Sequence, residues 1–234
     1  MVIKAAVYTG SRNLYPDMVV AAKSLIINSD ADKIYFLIED DDFPFDIPSC
    51  IETINISDQK YFKPGGPNMK SPYTYFAMMR AALCYVFPDI DTILSLDVDT
   101  IVDKDISDIW SLPLGDDYYF SASREDMRSY YELLYTNTGV ALYNLKKLRD
   151  GKAQEVIDVL NTSRFNWVEQ DVFNYLCQGR ILDMPSCYNV NDWTDKTNDK
   201  RILHYAGFKE WQNFPGYVKY QNIPFSDIVG RANA

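Results

Sequence analysis

Two aspartates directly follow a short apolar run near the middle of the chain, and this arrangement constrains the fold more than any other feature. Residues 92–96 are β-branched and almost entirely apolar, which is typical of a strand buried on both faces of a parallel sheet. Asp97 and Asp99 come next. Side chains two residues apart in extended chain point to the same side, so both carboxylates can face one site. Open α/β sheets bind their ligands beyond the carboxyl ends of their strands.

The two carboxylates predict a divalent metal. Like charges at the edge of an apolar strand are costly unless a cation neutralises them. Hard ions such as Mg²⁺ or Mn²⁺ suit carboxylate oxygens and often share their remaining positions with a diphosphate. A solvated turn would also place Asp97 and Asp99 after a strand, and Asp-x-Asp is a common pattern. The apolar strand before the pair favours the metal, but the pair alone does not define a function.

Composition narrows the class of protein. A chain of 234 residues, 47% hydrophobic and 24% charged, fits one α/β domain or two small ones and is long enough for a sizeable core. Its formal charge of −10 argues against nucleic acid and anionic membranes as partners. An acidic protein that handles a nucleotide diphosphate needs a metal to bridge the repulsion. We expect a cytoplasmic protein without stable membrane insertion, because the cysteines lack CxxC spacing, no signal peptide is recognisable, and no apolar run approaches ~20 residues.

The pattern of apolar residues predicts alternating strands and helices. Strands are expected at residues 2–9, 33–39 and 51–56, with a helix from 15 to 28 that has proline in its first turn. This opening implies a parallel sheet with right-handed crossovers. The later elements are strands at 118–122, 138–143, 180–184 and 201–205, helices at 73–86, 152–160 and 167–177, and a helical turn at 106–110. Residues 61–72, expected to be a mobile loop, and residues 124–135 are predicted to border an acceptor.

Two polar clusters near the later strands have more than one interpretation. His204 could be a third metal ligand, with Gly207 admitting a phosphate to the backbone and Lys209 neutralising it. A core histidine followed by a turn is slightly favoured by this segment alone. Asn137 could bind a sugar hydroxyl, with Gly139 leaving room for the ligand. A turn that opens a strand is at least as consistent with the same residues.

The helix start at Glu169, Gln170 and Asp171 is equally open to two interpretations. Acidic residues in a first turn ordinarily complement the helix dipole. The functional alternative is a carboxylate and an amide turned towards a reacting carbon. By default Arg80 is a solvated charge on its helix, and Tyr15 is a partly buried aromatic at a helix start.

Taken together and in order, four segments resemble glycosyltransferase family 8, the family of glycogenins and bacterial lipopolysaccharide galactosyl- and glucosyltransferases. Residues 94–99, LSLDVD, look like its metal-binding DxD strand. Residues 137–149 are similar to its asparagine-small-glycine segment followed by NLKKWR, here NLKKLR. Residues 170–174 are similar to its QD helix start, and residues 204–211 to its HxxG block with a lysine and a tryptophan. Each segment is a weak motif, and four in order are a strong one.

The resemblance implies an α/β fold of the GT-A type, with a Rossmann-like, mostly parallel central sheet flanked by helices. It implies one domain over residues 1–234, with a nucleotide-binding part at roughly 1–103 and an acceptor part at roughly 104–234. It also implies roles for particular residues. Mn²⁺ or Mg²⁺ would be held by Asp97, Asp99 and His204. The donor would be bound by Thr9, Ser11, Tyr15, Arg80, Asp97, Asn137, Gly139, Gly207 and Lys209, with Tyr15 stacked on uracil. The residues nearest the reacting carbon would be Glu169 and Gln170, followed by Asp171 in the same helix turn.

The function that follows is a metal-dependent, retaining hexosyltransferase that moves glucose or galactose from a UDP-sugar to a glycan or another hydroxyl acceptor. Three departures from the family pattern stand out. Glu169 occupies a position where aspartate is common, Lys209 follows Gly207 by two residues instead of three, and residues up to 234 lack a basic amphipathic tail. A soluble acceptor, or transient membrane contact, is therefore expected.

Two other functions remain open. A catalytically degenerate protein of the same fold would bind a nucleotide sugar or glycan without turnover. A sugar nucleotidyltransferase is less consistent with the sequence, because such enzymes carry a glycine-rich loop with lysine or arginine after the first strand. Residues 9–13 contain one glycine and one arginine.

Overall fold

Nine strands form two sheets in the part of the chain that this computed structural model describes, residues 3–71, 73–125, 135–191 and 197–229. The seven-stranded sheet has the order β3-β2-β1-β4-β7-β6-β8, and the two-stranded sheet pairs β5 with β9. The strands are β1 Ala5–Thr9, β2 Lys33–Ile38, β3 Ile51–Asn55, β4 Thr92–Leu96, β5 Thr100–Val102, β6 Phe120–Arg124, β7 Thr136–Asn144, β8 Ile181–Asp183 and β9 Ile202–His204.

The direction of the strands defines a ligand-binding edge. Strands β1, β2, β3 and β4 are mutually parallel, and β6 is parallel to β8, whereas β7 runs antiparallel to both β4 and β6. From β1 the order continues to β2 on one side and to β4 on the other. Such a switch in strand order opens a crevice at the carboxyl ends of the two strands. Thr9 ends β1 and Asp97 follows β4 at this edge.

Helices cover both faces of the large sheet. They are α1 Tyr15–Ile27, α2 Thr74–Met78, α3 Leu83–Val86, α4 Leu145–Leu148, α5 Lys152–Thr162, α6 Val168–Leu176, α7 Pro215–Gln221 and α8 Phe225–Val229. Alternate residues of β1 enter opposite cores: Val7 packs with residues of α5 and α6, and Tyr8 with residues of α1. A sheet covered on both faces needs continuous apolar strands, which accounts for the apolar runs in the sequence.

Most predicted elements are confirmed within a few residues, and the mostly parallel α/β sheet is confirmed. The helix predicted at 73–86 is divided, because a 3-10 turn, Met79–Ala82, separates α2 from α3. Strand β5 and helices α4, α7 and α8 were not predicted. The division proposed near residue 103 does not divide the sheet, because β7 from the second part pairs with β4 from the first.

The loop after β3 is attached to the end of α5. Asn68 donates to the carbonyls of Leu160 and Ser163 at 2.7 and 2.8 Å, and it is 1% exposed. The amide of Asn161 donates to the Tyr61 carbonyl at 2.8 Å. These contacts attach the predicted loop, residues 61–72, to α5 through its described part, and its mobility stays a prediction. Pro72 and most of the predicted acceptor segment, residues 126–134, lie outside the described residues.

Among the described residues, the structure contains no helix that is both long enough and apolar enough to span a bilayer.

Candidate functional site

A tight turn and a strand pairing bring three candidate metal ligands together at the end of β4. The turn after Asp97 is closed by Thr100, whose backbone N–H and hydroxyl both donate to the Asp97 carbonyl, at 3.2 and 2.6 Å. Thr100 begins β5, and its antiparallel partner in β9 is His204. The backbone N–H of Tyr205 donates to the Asp99 carbonyl at 2.9 Å. Pairing of β5 with β9 therefore brings His204 to the two aspartates.

The three side chains form a set of converging ligand atoms. The Nε2 atom of His204 lies 3.5 Å from Oδ2 of Asp97 and 3.4 Å from Oδ1 of Asp99. One ligand atom from each residue lies within 4.8 Å of the others. The imidazole is buried, whereas the side chains of Asp97 and Asp99 are 35% and 23% exposed. Two carboxylates and an imidazole suit Mn²⁺ or Mg²⁺, and the exposed side of the cluster is open to a further ligand.

Gly139 on β7 makes this convergence possible. A Cβ atom at Gly139 would lie 2.2 Å from Cε1 of His204 and 2.6 Å from Oδ2 of Asp97. The Gly139 carbonyl also accepts a 2.7 Å hydrogen bond from the backbone N–H of Asp97. The space that this glycine leaves is therefore occupied by two of the predicted metal ligands, where the sequence analysis expected the donor sugar.

The electrostatics of the cluster favour a cation. Burial lowers the pKa of His204, but the charge of Asp99 and hydrogen bonding with both aspartates outweigh burial and raise that pKa to about 10. Burial also opposes ionisation of Asp97, yet Arg80 and His204 bring its pKa below the usual value. A positive charge between the two carboxylates is therefore stabilised, whether an imidazolium proton or a metal ion supplies it.

Arg80 joins the predicted metal site to the predicted catalytic helix. Its guanidinium forms ion pairs with Asp97 through Nη2 and with Glu169 through Nη1. Arg80 is 5% exposed and Glu169 is 2% exposed. Burial raises the pKa of Glu169, and the charge of Arg80 opposes that rise. The default interpretation of Arg80 as a solvated charge is therefore wrong.

Gln170 and Asp171, predicted to be catalytic, form hydrogen bonds within the fold. The side-chain oxygen of Gln170 accepts from the backbone N–H of Thr138 at 3.0 Å, and its amide nitrogen donates to Glu125 at 3.0 Å. Asp171 accepts from the Tyr135 hydroxyl at 2.6 Å and from the backbone N–H of Trp167 at 2.9 Å. These bonds tie the start of α6 to the start of β7. Of the three predicted catalytic residues, Glu169 is joined to the metal-ligand cluster through Arg80.

The residue before Glu169 has an unusual backbone. Val168 is fully buried and has a φ of +44°, a region that β-branched residues rarely adopt. Such conformations cost about 1–3 kcal/mol and occur where surrounding contacts impose them, often at functional sites. Here the strained residue starts α6 and directly precedes Glu169.

The predicted uridine-binding residues lie at the end of β1, but Tyr15 is not accessible. The Ser11 hydroxyl donates to Asn13 at 2.6 Å. Tyr15 is 1% exposed, and its ring centroid lies 5.0 Å from that of Phe43. Its hydroxyl donates to Asp40 at 2.9 Å and accepts from the backbone N–H of Glu39 at 2.9 Å. The Tyr15 ring is thus packed in the core beside Phe43, and its stacking on uracil stays a prediction.

The remaining predicted donor contacts lie after β9 and at the start of β7. Gly207 has a φ of +78° in the turn that follows His204, and both Gly207 and Lys209 are exposed. Asn137 is 8% exposed, and its side-chain oxygen accepts from the backbone N–H of Gly139 at 2.9 Å. The turn and the strand start therefore both adjoin the aspartate–histidine cluster.

Sequence reasoning missed two residues beside the site. Asn189 is 1% exposed and contacts Nδ1 of His204 through Oδ1 at 2.8 Å. Glu125 accepts from Gln170, and burial raises the pKa of its carboxyl. Nothing in the local pattern marks Asn189. Glu125 belongs to the polar segment 124–135 that the sequence placed near an acceptor, and its acidity there was the available indication.

The chain is similar to known glycosyltransferases in sequence and in fold. A curated relative is the lipopolysaccharide 1,2-glucosyltransferase of Escherichia coli (strain K12), 32% identical over 119 residues. That alignment covers 40% of this chain and 35% of the relative, about a third of its length. Among solved structures, the glycosyltransferase GlyE of Streptococcus pneumoniae TIGR4 matches with a TM-score of 0.73 and 21% identity. The match covers 99% of this chain and 63% of GlyE.

A second solved structure matches along nearly its whole length. It is the galactosyltransferase LgtC in complex with donor and acceptor sugar analogs, with a TM-score of 0.70 and 18% identity. The match covers 95% of this chain and 98% of LgtC, so the GT-A fold is shared throughout. The family model of glycosyl transferase family 8 matches residues 6–214, which include every candidate site residue described above. The chain therefore belongs to glycosyltransferase family 8.

Proposed function

We propose that this protein is a metal-dependent, retaining glycosyltransferase that moves glucose or galactose from a UDP-sugar to a hydroxyl of a glycan or another acceptor. The observation that carries the proposal is the convergence of Asp97, Asp99 and His204, whose ligand atoms lie within 4.8 Å of one another. Membership of the family, and the glucosyl and galactosyl transfer named for its relatives, support transfer of glucose or galactose.

The chain's own residues have distinct parts in this proposal. Asp97, Asp99 and His204 hold Mn²⁺ or Mg²⁺, which when bound supplies Lewis-acid stabilisation of the departing diphosphate. Arg80 keeps Asp97 ionised and in place, because the guanidinium charge lies directly against that carboxylate and lowers its pKa. Gly207, through its backbone, contacts the phosphates.

Other residues bind the remainder of the donor. Lys209 lies in the turn that follows His204, exposed and able to reach a phosphate. Thr9, Ser11 and the surrounding end of β1 bind the uridine. Arg80 and Asn137 border the donor sugar, Gly139 leaves the space that Asp97 and His204 occupy, and Glu169 is the carboxylate nearest to the reacting carbon. Arg80 and Glu169 are almost completely buried, so their ion pair is shielded from water.

A second candidate function is binding of a nucleotide sugar or glycan without turnover. It is favoured by the hydrogen bonds of Gln170 and Asp171, which occupy both side chains in holding α6 against β7. On this account the metal and diphosphate would bind, but the groups expected beside the sugar would serve only the fold.

We also propose that the protein acts in the cytoplasm. All four cysteines, Cys50, Cys84, Cys177 and Cys187, are free thiols, as expected in a reducing compartment.

Release of UDP distinguishes the two candidate functions. The purified protein is incubated with Mn²⁺ and a panel of UDP-hexoses, and UDP is measured over time with and without candidate glycan acceptors. A transferase releases UDP from one donor, slowly in water and faster with an acceptor, and proton NMR of the product shows the anomeric configuration of the donor. A binding protein shows affinity for the donor and no release. Release in the presence of a chelator would contradict the proposed metal dependence.

A further inference from the structure

Three buried side chains form a continuous hydrogen-bonded chain behind the metal-ligand cluster. Asn189 Oδ1 lies 2.8 Å from Nδ1 of His204. The Asn189 amide nitrogen lies 3.0 Å from Oδ1 of Asn137 and 3.5 Å from its carbonyl. Asn137 Oδ1 in turn accepts from the backbone N–H of Gly139 at 2.9 Å. His204, Asn189 and Asn137 are 3%, 1% and 8% exposed, so this hydrogen-bonded chain is shielded from solvent.

The backbone N–H of Gly139 sets the donor-to-acceptor direction of every hydrogen bond in this series of side chains. A backbone N–H can only donate, so the Asn137 atom that faces Gly139 is the amide oxygen. The Asn189 atom that faces this oxygen is therefore the NH₂ group, and the opposite end of Asn189 is an oxygen that can only accept. The Nδ1 atom of His204 must then carry a proton. Its Nε2 atom is left to face the carboxylates.

We propose that Asn189 is a positioning residue that keeps the proton of His204 on Nδ1 and aims the Nε2 lone pair at the metal. This inference rests on the proposed metal site. Histidine ligands commonly donate their second ring N–H to an oxygen, and loss of that partner typically costs 10–100-fold in metal affinity. Here the oxygen belongs to an asparagine whose own orientation is set by Asn137, a residue proposed to border the donor sugar.

The backbone holds Asn189 in register with His204. The next residue, Val190, forms a parallel bridge with Leu203, and its carbonyl accepts a 2.9 Å hydrogen bond from the backbone N–H of His204. The Asn189 side chain therefore meets the imidazole from a fixed position, and a change at Asn189 alters the ring environment without removing a metal ligand.

The test uses the fact that His204 is the only histidine of the chain, so its ring gives the only imidazole signals in a nitrogen-15 NMR spectrum. The wild type is expected to show a slowly exchanging Nδ1 proton, both without metal and with Mg²⁺ and UDP. Asn189→Leu removes the acceptor and is expected to lose this slow proton and to bind Mn²⁺ 10–100-fold more weakly by calorimetry with UDP. Asn189→Asp restores an acceptor for Nδ1 and is expected to recover the slow proton.

Asn68→Leu is the matched control. Asn68 is also 1% exposed and forms three hydrogen bonds, but to Leu160 near the end of α5 and to Ser163 and Phe165 just after it. This variant is expected to lose stability and to keep both the slow Nδ1 proton and the Mn²⁺ affinity. If Asn189→Leu does not fold, the spectra of the wild type and of Asn189→Asp decide the question.

A slow Nδ1 proton that is unchanged in Asn189→Leu, or absent from the wild type, would overturn the proposal. If Mn²⁺ binds neither protein while the Nδ1 proton is lost only in Asn189→Leu, the positioning of His204 stands and the proposed metal-dependent function fails. The two failures are therefore distinguishable.

Discussion

Thr100 and His204 are directly opposite each other in the two-stranded sheet formed by β5 and β9. Because Thr100 also closes the turn that presents Asp97, this one pairing fixes the distance between the DxD aspartates and the imidazole. The proposed metal site therefore depends on a short strand pair outside the main sheet. Changes that disturb β5 or β9 are expected to weaken metal binding even where no ligand is touched.

The close approach at β7 predicts the effect of adding one methyl group. Gly139→Ala would place Cβ within 2.6 Å of both His204 and Asp97, so one or both must move. We expect this variant to lose metal-dependent UDP binding by calorimetry and to be destabilised by about 1–3 kcal/mol in urea, the usual cost of overpacking. Gly115→Ala is the control: its Cβ would meet no atom within 4 Å, and the strain of its φ of +50° lies away from the site. Equal UDP binding in both variants would contradict the account.

The buried ion pair of Arg80 with Glu169 predicts a loss of stability. Removing one partner of a buried pair leaves an uncompensated charge and costs about 3–5 kcal/mol. Because Asp97 still contacts Arg80, we expect Glu169→Gln to lower the free energy of unfolding by about 3 kcal/mol, measured by urea denaturation.

An exposed pair provides the comparison for Glu169→Gln. Arg124 and Asp183 form a salt bridge with side chains 64% and 49% exposed. Asp183→Asn is expected to change stability by less than about 1 kcal/mol, because solvent screens such pairs. A change for Glu169→Gln no larger than that for Asp183→Asn would argue against a buried pair.

The raised pKa of His204 predicts a stability that depends on pH. Without a bound metal, the pKa of His204 in the folded protein is raised to about 10, against 6.5 for an ordinary histidine. Folding therefore favours the protonated imidazole. The stabilisation is complete below pH 6.5 and is lost as the pH rises through about 10. The difference in unfolding free energy between the wild type and His204→Gln should shrink across this window. Parallel curves from pH 6 to pH 10 would contradict the assignment.

The burial of Tyr15 predicts that its removal affects the fold and not nucleotide binding. Tyr15→Leu deletes a buried ring and leaves the backbone N–H of Glu39 without its acceptor. We expect a loss of about 2–3 kcal/mol in stability. Affinity for UDP, measured by calorimetry well below the melting temperature, should stay within about twofold. A selective loss of UDP affinity would contradict this account and support the predicted stacking on uracil.

Local patterns in the sequence predicted the strands of the main sheet and the two aspartates of the candidate site. Strand β4 and its two aspartates follow from apolar periodicity and from a sharp change to charge. The position of His204 beside these aspartates cannot be predicted from local patterns, because it depends on two three-residue strands that pair across a long stretch of chain. Arg80 could not be recognised as buried, since its burial requires Asp97 and Glu169 from other elements. Asn189 has no local pattern at all, and its role follows only from its contacts.

Calorimetry of UDP binding with and without Mn²⁺, compared between the wild type and Asp99→Asn, tests the central claim most directly. Asp99 contributes a ligand atom to the cluster and takes no part in the buried ion pair of Arg80, so its replacement is expected to preserve the fold. We predict that the wild type binds UDP only with Mn²⁺, and that Asp99→Asn loses this binding while it still folds and unfolds cooperatively. Metal-independent UDP binding, or equal Mn²⁺-dependent binding by both proteins, would contradict the assignment of Asp97, Asp99 and His204 as the metal site.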